Sequence, residues 1–127
     1  MTLDTGALIA ATRNERGFWA WWKSLVEDEV VAAIPAPALA QAWRSGRDAR
    51  LGQLAAHCCV LPMDEEAARR TGELCREARS SDVVDAFVVY CAALRGDDVL
   101  TSDPGDLRAL ADHAPSIGRI RALDELR

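Results

Sequence analysis

Short runs rich in Val, Leu and Ile alternate along this chain with longer stretches whose apolar residues recur at helical spacing. That alternation predicts an α/β domain in which strands and helices take turns. The strand-like runs are Thr2–Leu3, Glu29–Ile34, Cys58–Leu61, Val99–Thr101 and a weaker one at Arg119–Ile120. Helical spacing covers Gly6–Ala11, Glu15–Glu27, Ala36–Arg44, Asp48–His57, Asp64–Arg79, Asp82–Leu94 and Asp106–Asp112. Gly96 follows the sixth of these, where a C-cap glycine belongs. Helices between successive strands imply a mostly parallel sheet of four to five strands with helices on both faces, a three-layer α/β/α sandwich. No linker, repeat or low-complexity stretch interrupts it, so residues 1–127 are expected to form one domain.

Composition adds exclusions. With 127 residues, 50% of them hydrophobic and 28% charged, the chain can bury a core without disulfides or a structural metal. Cys58, Cys59, Cys75 and Cys91 form no CxxC pair and are accompanied only by His57 and His113, which argues against a zinc ribbon and against a thiol redox motif. They read as small buried residues in a reducing compartment, Cys58 and Cys59 facing opposite sides of their strand. An acid follows Met1 within three residues and no long apolar run appears, so neither a signal peptide nor a membrane span is expected, and the cytoplasm is the expected location. Fifteen basic against twenty acidic residues give a net charge of −5, whereas bulk electrostatic binding of nucleic acid calls for a basic domain. Nucleic acid would have to be handled by a local basic patch, a bound cation or a partner.

In a parallel sheet ligands sit beyond the carboxyl ends of the strands. Asp4 follows the first strand there, Asp103 follows Val99–Thr101, and Asp82 and Asp85 open the preceding helix. Each has a structural alternative. Asp4 and Asp82 suit N-cap positions, with Asp85 at N3. Asp103-Pro104-Gly105-Asp106 reads as an N-cap, a proline at N1 and an acid at N3. Asp64-Glu65-Glu66 is the internal control, an acidic helix start to which no chemistry is assigned. Asp85 tips the balance. From Val83 to Leu94 it is the one polar interruption in an apolar helix, and such a helix is expected to be buried all round. A carboxylate there is costly to ionise without compensation, and no basic residue follows until Arg95. A divalent ion shared with other carboxylates supplies that compensation, and hard oxygen ligands favour Mg²⁺ or Mn²⁺ over zinc.

Leu3-Asp4-Thr5-Gly6-Ala7-Leu8-Ile9-Ala10, then Pro35 to Arg44, then Ser81-Asp82-Val83-Val84-Asp85-Ala86, then Leu100-Thr101-Ser102-Asp103-Pro104 occur in the order and spacing of PIN domains. The chain resembles in particular the VapC-type toxins of bacterial toxin–antitoxin pairs, over nearly its whole length. The resemblance implies a PIN-like fold and a metal-dependent endoribonuclease with Mg²⁺ or Mn²⁺ at the carboxyl edge of the sheet. Asp4, Asp85 and Asp103 match the first, third and fourth acids and are the implied metal ligands. Thr101 matches the hydroxyl residue ahead of the fourth acid, and Asp82 an additional aspartate found in part of the family. The second acid falls on Gln41, which departs from the pattern. An amide oxygen can ligate a metal or orient a water, but it carries no charge and takes no proton.

The implied reaction is hydrolysis of an RNA phosphodiester, with Asp103 or Asp82 as base or water-positioning group. Arg44 and Arg47, just beyond Gln41, are the candidate RNA-binding residues, with Arg50, Arg13, Arg69, Arg70, Arg76 and Arg79 equally readable as solvated faces with ordinary ion pairs. Phe18, Trp19, Trp22 and Leu25 or Val26 make a helical stripe expected in the core, Trp21 pointing elsewhere, and Trp43 follows Gln41. The implied partners are an RNA substrate (tRNA or another structured RNA), a cognate antitoxin and a second copy of the chain, with no membrane. A second reading is a catalytically silent PIN domain that binds RNA or a protein because of Gln41. A dehalogenase-like phosphotransfer domain built on Asp4 is excluded, because Gly6 stands where that class needs a second aspartate and Lys23 is the chain's one lysine.

Overall fold

A computed structural model describes residues 1–45 and 48–126. Five strands form one sheet: β1 (Thr2–Leu3), β2 (Ala33–Pro35), β3 (Cys59–Leu61), β4 (Val99–Thr101) and β5 (Ile120–Ala122). Their order is β3-β2-β1-β4-β5, and every pairing is parallel. β1 is central, Thr2 lying level with Ala33 on one side and with Val99 on the other. Seven helices connect the strands among the described residues: α1 (Thr5–Thr12), α2 (Arg16–Glu27), α3 (Ala36–Ala42), α4 (Ala49–Ala56), α5 (Glu65–Ala78), α6 (Val83–Arg95) and α7 (Pro104–Ala111). From β1 to β3 the chain steps toward one edge, and from β4 to β5 toward the other. Right-handed crossovers in opposite directions put α1–α4 on one face and α5–α7 on the other. The packing agrees, with α1 against α2, α3 and α4, and with α5, α6 and α7 against one another. The core lies between, built on Leu3, Leu8, Ile34, Leu51, Leu54, Val88, Val89, Leu100, Leu107 and Leu110.

Several expected boundaries move for physical reasons. β2 begins at Ala33 rather than Glu29, because α2 is left through Glu29 at φ 56 and Val30 and Val31 stay in solvent. α3 stops at Ala42 rather than Arg44, since Trp43 is already extended at ψ 119. α7 starts two residues earlier than expected, with Pro104 in its first turn, where a missing N–H is harmless. β5 is displaced to Ile120–Ala122 and runs into a short 3-10 turn at Leu123–Glu125.

The aromatic stripe of α2 is wider than expected. Phe18 and Leu25 are buried, and Trp19, Trp21 and Trp22 all pack on the core. Trp21 joins because it stands three residues from Phe18, the spacing of neighbours on one helix face, and its ring lies 5.7 Å from that of Phe18. Val26 leaves the stripe for solvent. The four thiols are free, but they are not all core residues: Cys75 and Cys91 are buried, whereas Cys59 is exposed because β3 is an edge strand. Burial pushes the Cys91 and Cys58 thiols up to about 12 and 11, which keeps them protonated and unreactive. α6 is buried only through its middle, with Val83 and Leu94 reaching solvent at its ends. No helix among the described residues is long and apolar enough to cross a membrane.

A polar staple holds the amino-terminal edge of the central strands. The Asp97 carboxylate accepts from the Thr2 hydroxyl at 2.9 Å and from Arg95 Nε at 2.8 Å, and it lies 3.1 Å from the Met1 nitrogen. Burial works to raise its pKa, but the three donors and the amino-terminal charge outweigh that and hold it below the usual carboxylate range. Asp97→Asn is expected to destabilise the fold by about 1–3 kcal/mol at pH 7. Because the folded pKa is depressed, the contribution is full above the unfolded value and is lost as pH falls through the folded one. Urea melts of both proteins at descending pH check this, the gap between them closing in acid.

Candidate functional site

The direction of strand addition reverses between β1 and β4, and the crevice at their carboxyl ends is where such sheets place ligands. β1 delivers Asp4 to that crevice and β4 delivers Thr101 and, two residues on, Asp103. Asp4 is 6% exposed, and it caps α1 by accepting from the Ala7 N–H at 3.0 Å. Its carboxylate also accepts from the Gly6 N–H and the Thr101 hydroxyl. Burial nevertheless raises its pKa, and the charge of Asp103 adds to the rise. Thr101, fully buried, accepts the Asp103 N–H at 2.9 Å, so one hydroxyl ties the first acid to the backbone of the fourth. Gly6 makes this closeness possible: a Cβ there would collide with the Ser102 side chain and come within 3.0 Å of its backbone nitrogen.

Capping and chemistry separate at Asp103. Asp4, Asp64 and Asp82 all cap their helices, accepting from Ala7, Ala67 and Asp85 at 3.0, 2.8 and 3.0 Å. Asp103 stands at the same position of α7 but makes no capping bond among the described residues. Its carboxylate is left available at the crevice.

The remaining acids collect beside it. Asp85 is half-buried in the first turn of α6. Burial pushes its carboxyl up to about 7, helped by the charge and hydrogen bonding of Asp82 and by the charges of Asp4 and Asp106. Asp106 is a residue the motif reading did not single out. It follows Asp103 by one turn of α7 and shares with Asp82, Asp85, Arg79, Ser80 and Ser81 a cavity of about 280 Å³. Its three-residue spacing from Asp103 is the signal, and helix-start chemistry accounts for that spacing equally well. A larger cavity, about 720 Å³, opens on the other side of the β4–α7 loop and touches the site only through Ser102 and Pro104. Its lining mixes Arg16 and Arg108 with Glu15, Asp124 and Glu125 and gathers no group of one sign.

Gln41 comes to the same edge from the last turn of α3. Its Oε1 accepts from the Thr5 hydroxyl at 2.7 Å, one residue from Asp4. Arg44 folds back on the end of α3, its guanidinium donating to the carbonyls of Trp43 at 3.1 Å and Ala40 at 3.4 Å. Arg47 lies outside the described residues. Arg69 and Arg70 form ordinary exposed ion pairs with Glu65 and Glu73.

The donor set fits a hard divalent cation in its chemistry. Asp4 and Asp85 offer only oxygen, lie near like charges and have raised pKa values, and no Lys or Arg side chain pairs with Asp4, Asp85 or Asp103 among the described residues. No three Asp, Glu, His or Cys side chains among those residues are gathered tightly enough to enclose an ion. The fit is one of charge and ligand type.

The family model of the PIN domain matches residues 1–112. No curated protein matches the chain.

Asp82→Asn keeps an oxygen to cap the Asp85 N–H but removes the nearest charge. The Asp85 carboxyl is then expected to titrate about one unit lower, still above the ordinary range because burial remains. A carbon-detected NMR titration of both proteins in EDTA measures it; an unchanged midpoint would mean that burial alone sets the value.

Proposed function

From the premise that the chain belongs to the PIN domain family, a nuclease fold, we propose that it is a Mg²⁺- or Mn²⁺-dependent endoribonuclease. The observation that carries this reading is the run of like charges at the β1–β4 switch point, Asp103 acting on Asp4 and both Asp4 and Asp82 on Asp85, with Asp103 spared from capping. Asp4 and Asp85 would hold the ion, with Asp103 beside them. A bound Mg²⁺ or Mn²⁺ supplies a Lewis acid that acidifies water and offsets phosphate charge. Asp103 is favoured over Asp82 as the group that takes a proton from the attacking water, because the Asp82 carboxylate is engaged with the Asp85 N–H. Thr101 keeps Asp4 and the Asp103 backbone in register. Hydrolysis joins the water oxygen to phosphorus, breaks one phosphorus–oxygen bond of the strand, and passes a proton to the leaving oxygen. Arg44 supplies a cation for the RNA backbone, as would Arg47. Unpaired segments of tRNA or another structured RNA are the natural substrate, since loops expose the strand.

Within that reading the chain is the toxin of a VapC-type pair, acting in the cytoplasm as a homodimer held inactive by an antitoxin. Support comes from the apolar surface that a partner would cover: Leu39 and Trp43 with Ala36 and Ala40 around a cavity of about 540 Å³, and exposed Val26, Val30 and Val31. A second reading, a silent PIN domain that only binds, is favoured by one observation, the neutral Gln41 where the family carries an acid.

The test is cleavage of total tRNA by the chain purified away from any partner, in Mg²⁺, Mn²⁺ or EDTA. Metal-dependent cuts are expected, weakened at least about a hundredfold in Asp85→Asn and Asp103→Asn, the scale on which one transition-state stabiliser acts. No cleavage by the native chain, with activity appearing in Gln41→Glu, would establish the silent reading instead.

A further inference from the structure

Gln41 does more than lack a charge. Thr5, the first residue of α1, donates its hydroxyl to Gln41 Oε1 at 2.7 Å, and this anchors the amide. With the oxygen taken, the two hydrogens of Nε2 project from an exposed side chain and meet no protein acceptor among the described residues. Asp4, the neighbour of Thr5 in the chain, is already supplied by Ala7, Gly6 and Thr101. The Arg44 guanidinium lies against the same helix end, on the carbonyls of Ala40 and Trp43. Two donors, one neutral and one cationic, therefore issue from the carboxyl end of α3 beside an acidic crevice.

We propose that Gln41 is a substrate-binding residue whose Nε2 donates to a phosphodiester oxygen of the RNA, with Thr5 as the positioning residue that turns the amide outward. The inference rests on the nuclease reading and adds to it. A carboxylate at this position would offer only acceptors and repel the phosphate, whereas an amide attracts it without adding charge. Beside acids gathered at this edge, a neutral donor offers a phosphate oxygen a hydrogen bond without adding a further negative charge.

Two measurements test this. Anisotropy of a fluorescein-labelled single-stranded RNA oligonucleotide is followed in Mg²⁺ on the Asp103→Asn background, where cleavage is too slow to consume the probe. Mn²⁺ binding is followed by calorimetry without RNA. Gln41→Ala and Thr5→Val are expected to weaken RNA binding about three- to tenfold, the worth of one neutral hydrogen bond, and Gln41→Glu to weaken it further. Mn²⁺ affinity is expected to be unmoved by Gln41→Ala. Exposure of Gln41 means the variants should fold, and their melting temperatures confirm it. RNA affinity unchanged in Gln41→Ala overturns the inference while leaving the nuclease reading intact, as does a parallel loss of Mn²⁺ affinity, which would make Gln41 a metal ligand. A parent protein that binds no RNA overturns both.

Discussion

The Thr101 hydroxyl is the interaction on which the carboxyl edge depends. It is fully buried at the end of β4, gives its hydrogen to Asp4 and takes the Asp103 N–H. A carboxylate as enclosed as Asp4 is expensive to keep charged, and only a few fixed donors offset that expense. Three do so here, two from the first turn of α1 and one from the neighbouring strand. They do not suffice, since the Asp4 pKa remains raised. The protein's own donors thus offset the cost of ionising Asp4 only in part, and the proposed ion would supply the rest.

How much of this was legible in the chain differs by feature. The strands and helices were visible because each carries its own period, and the exceptions lie at ends, where a single residue decides. Glu29 in a left-handed conformation delays β2, and Pro104 advances α7, neither of which periodicity records. The acids were visible as a set, and the whole family match lies over the same stretch. What the sequence left open was which aspartates are merely caps. Asp4, Asp64, Asp82 and Asp103 share one local pattern, yet three of them cap and the last does not. Asp103 differs in its own backbone, which stands at φ −130 where the three capping aspartates lie between −80 and −86, and the local residue pattern does not record that. Asp106 was missed for the converse reason, a plausible local role hiding a neighbour on another helix. The exposure of Cys59 was invisible because whether β3 is an edge depends on the order of all five strands.

The basic residues resolve in the same way. The arginines of α5 suit a nucleic-acid face or a solvated one equally by sequence, and Arg69 and Arg70 are matched by Glu65 and Glu73 on the same helix. Arg44 is anchored by carbonyls instead, which fixes its place, and it has no acidic partner among the described residues. Its place at the end of α3, close to Gln41, separates it from the rest, and on the proposed nuclease reading this is how an acidic domain would meet a polyanion.

The pairing of β1 with β4 has a consequence for how the molecule is made. Thr2 and Leu3 lie in register with Val99 and Leu100, so the two halves of the crevice come from strands far apart along the chain. A nascent chain released before residue 99 has Asp4 but nothing to set beside it, and its central strand has only one neighbour. Folding must wait on this long-range contact, which slows it relative to a fold of local pairings. The same delay means that Asp4 and Asp103 stand at one edge only after β4 has been made and has paired with β1, so the crevice is the last part of the sheet's centre to be assembled.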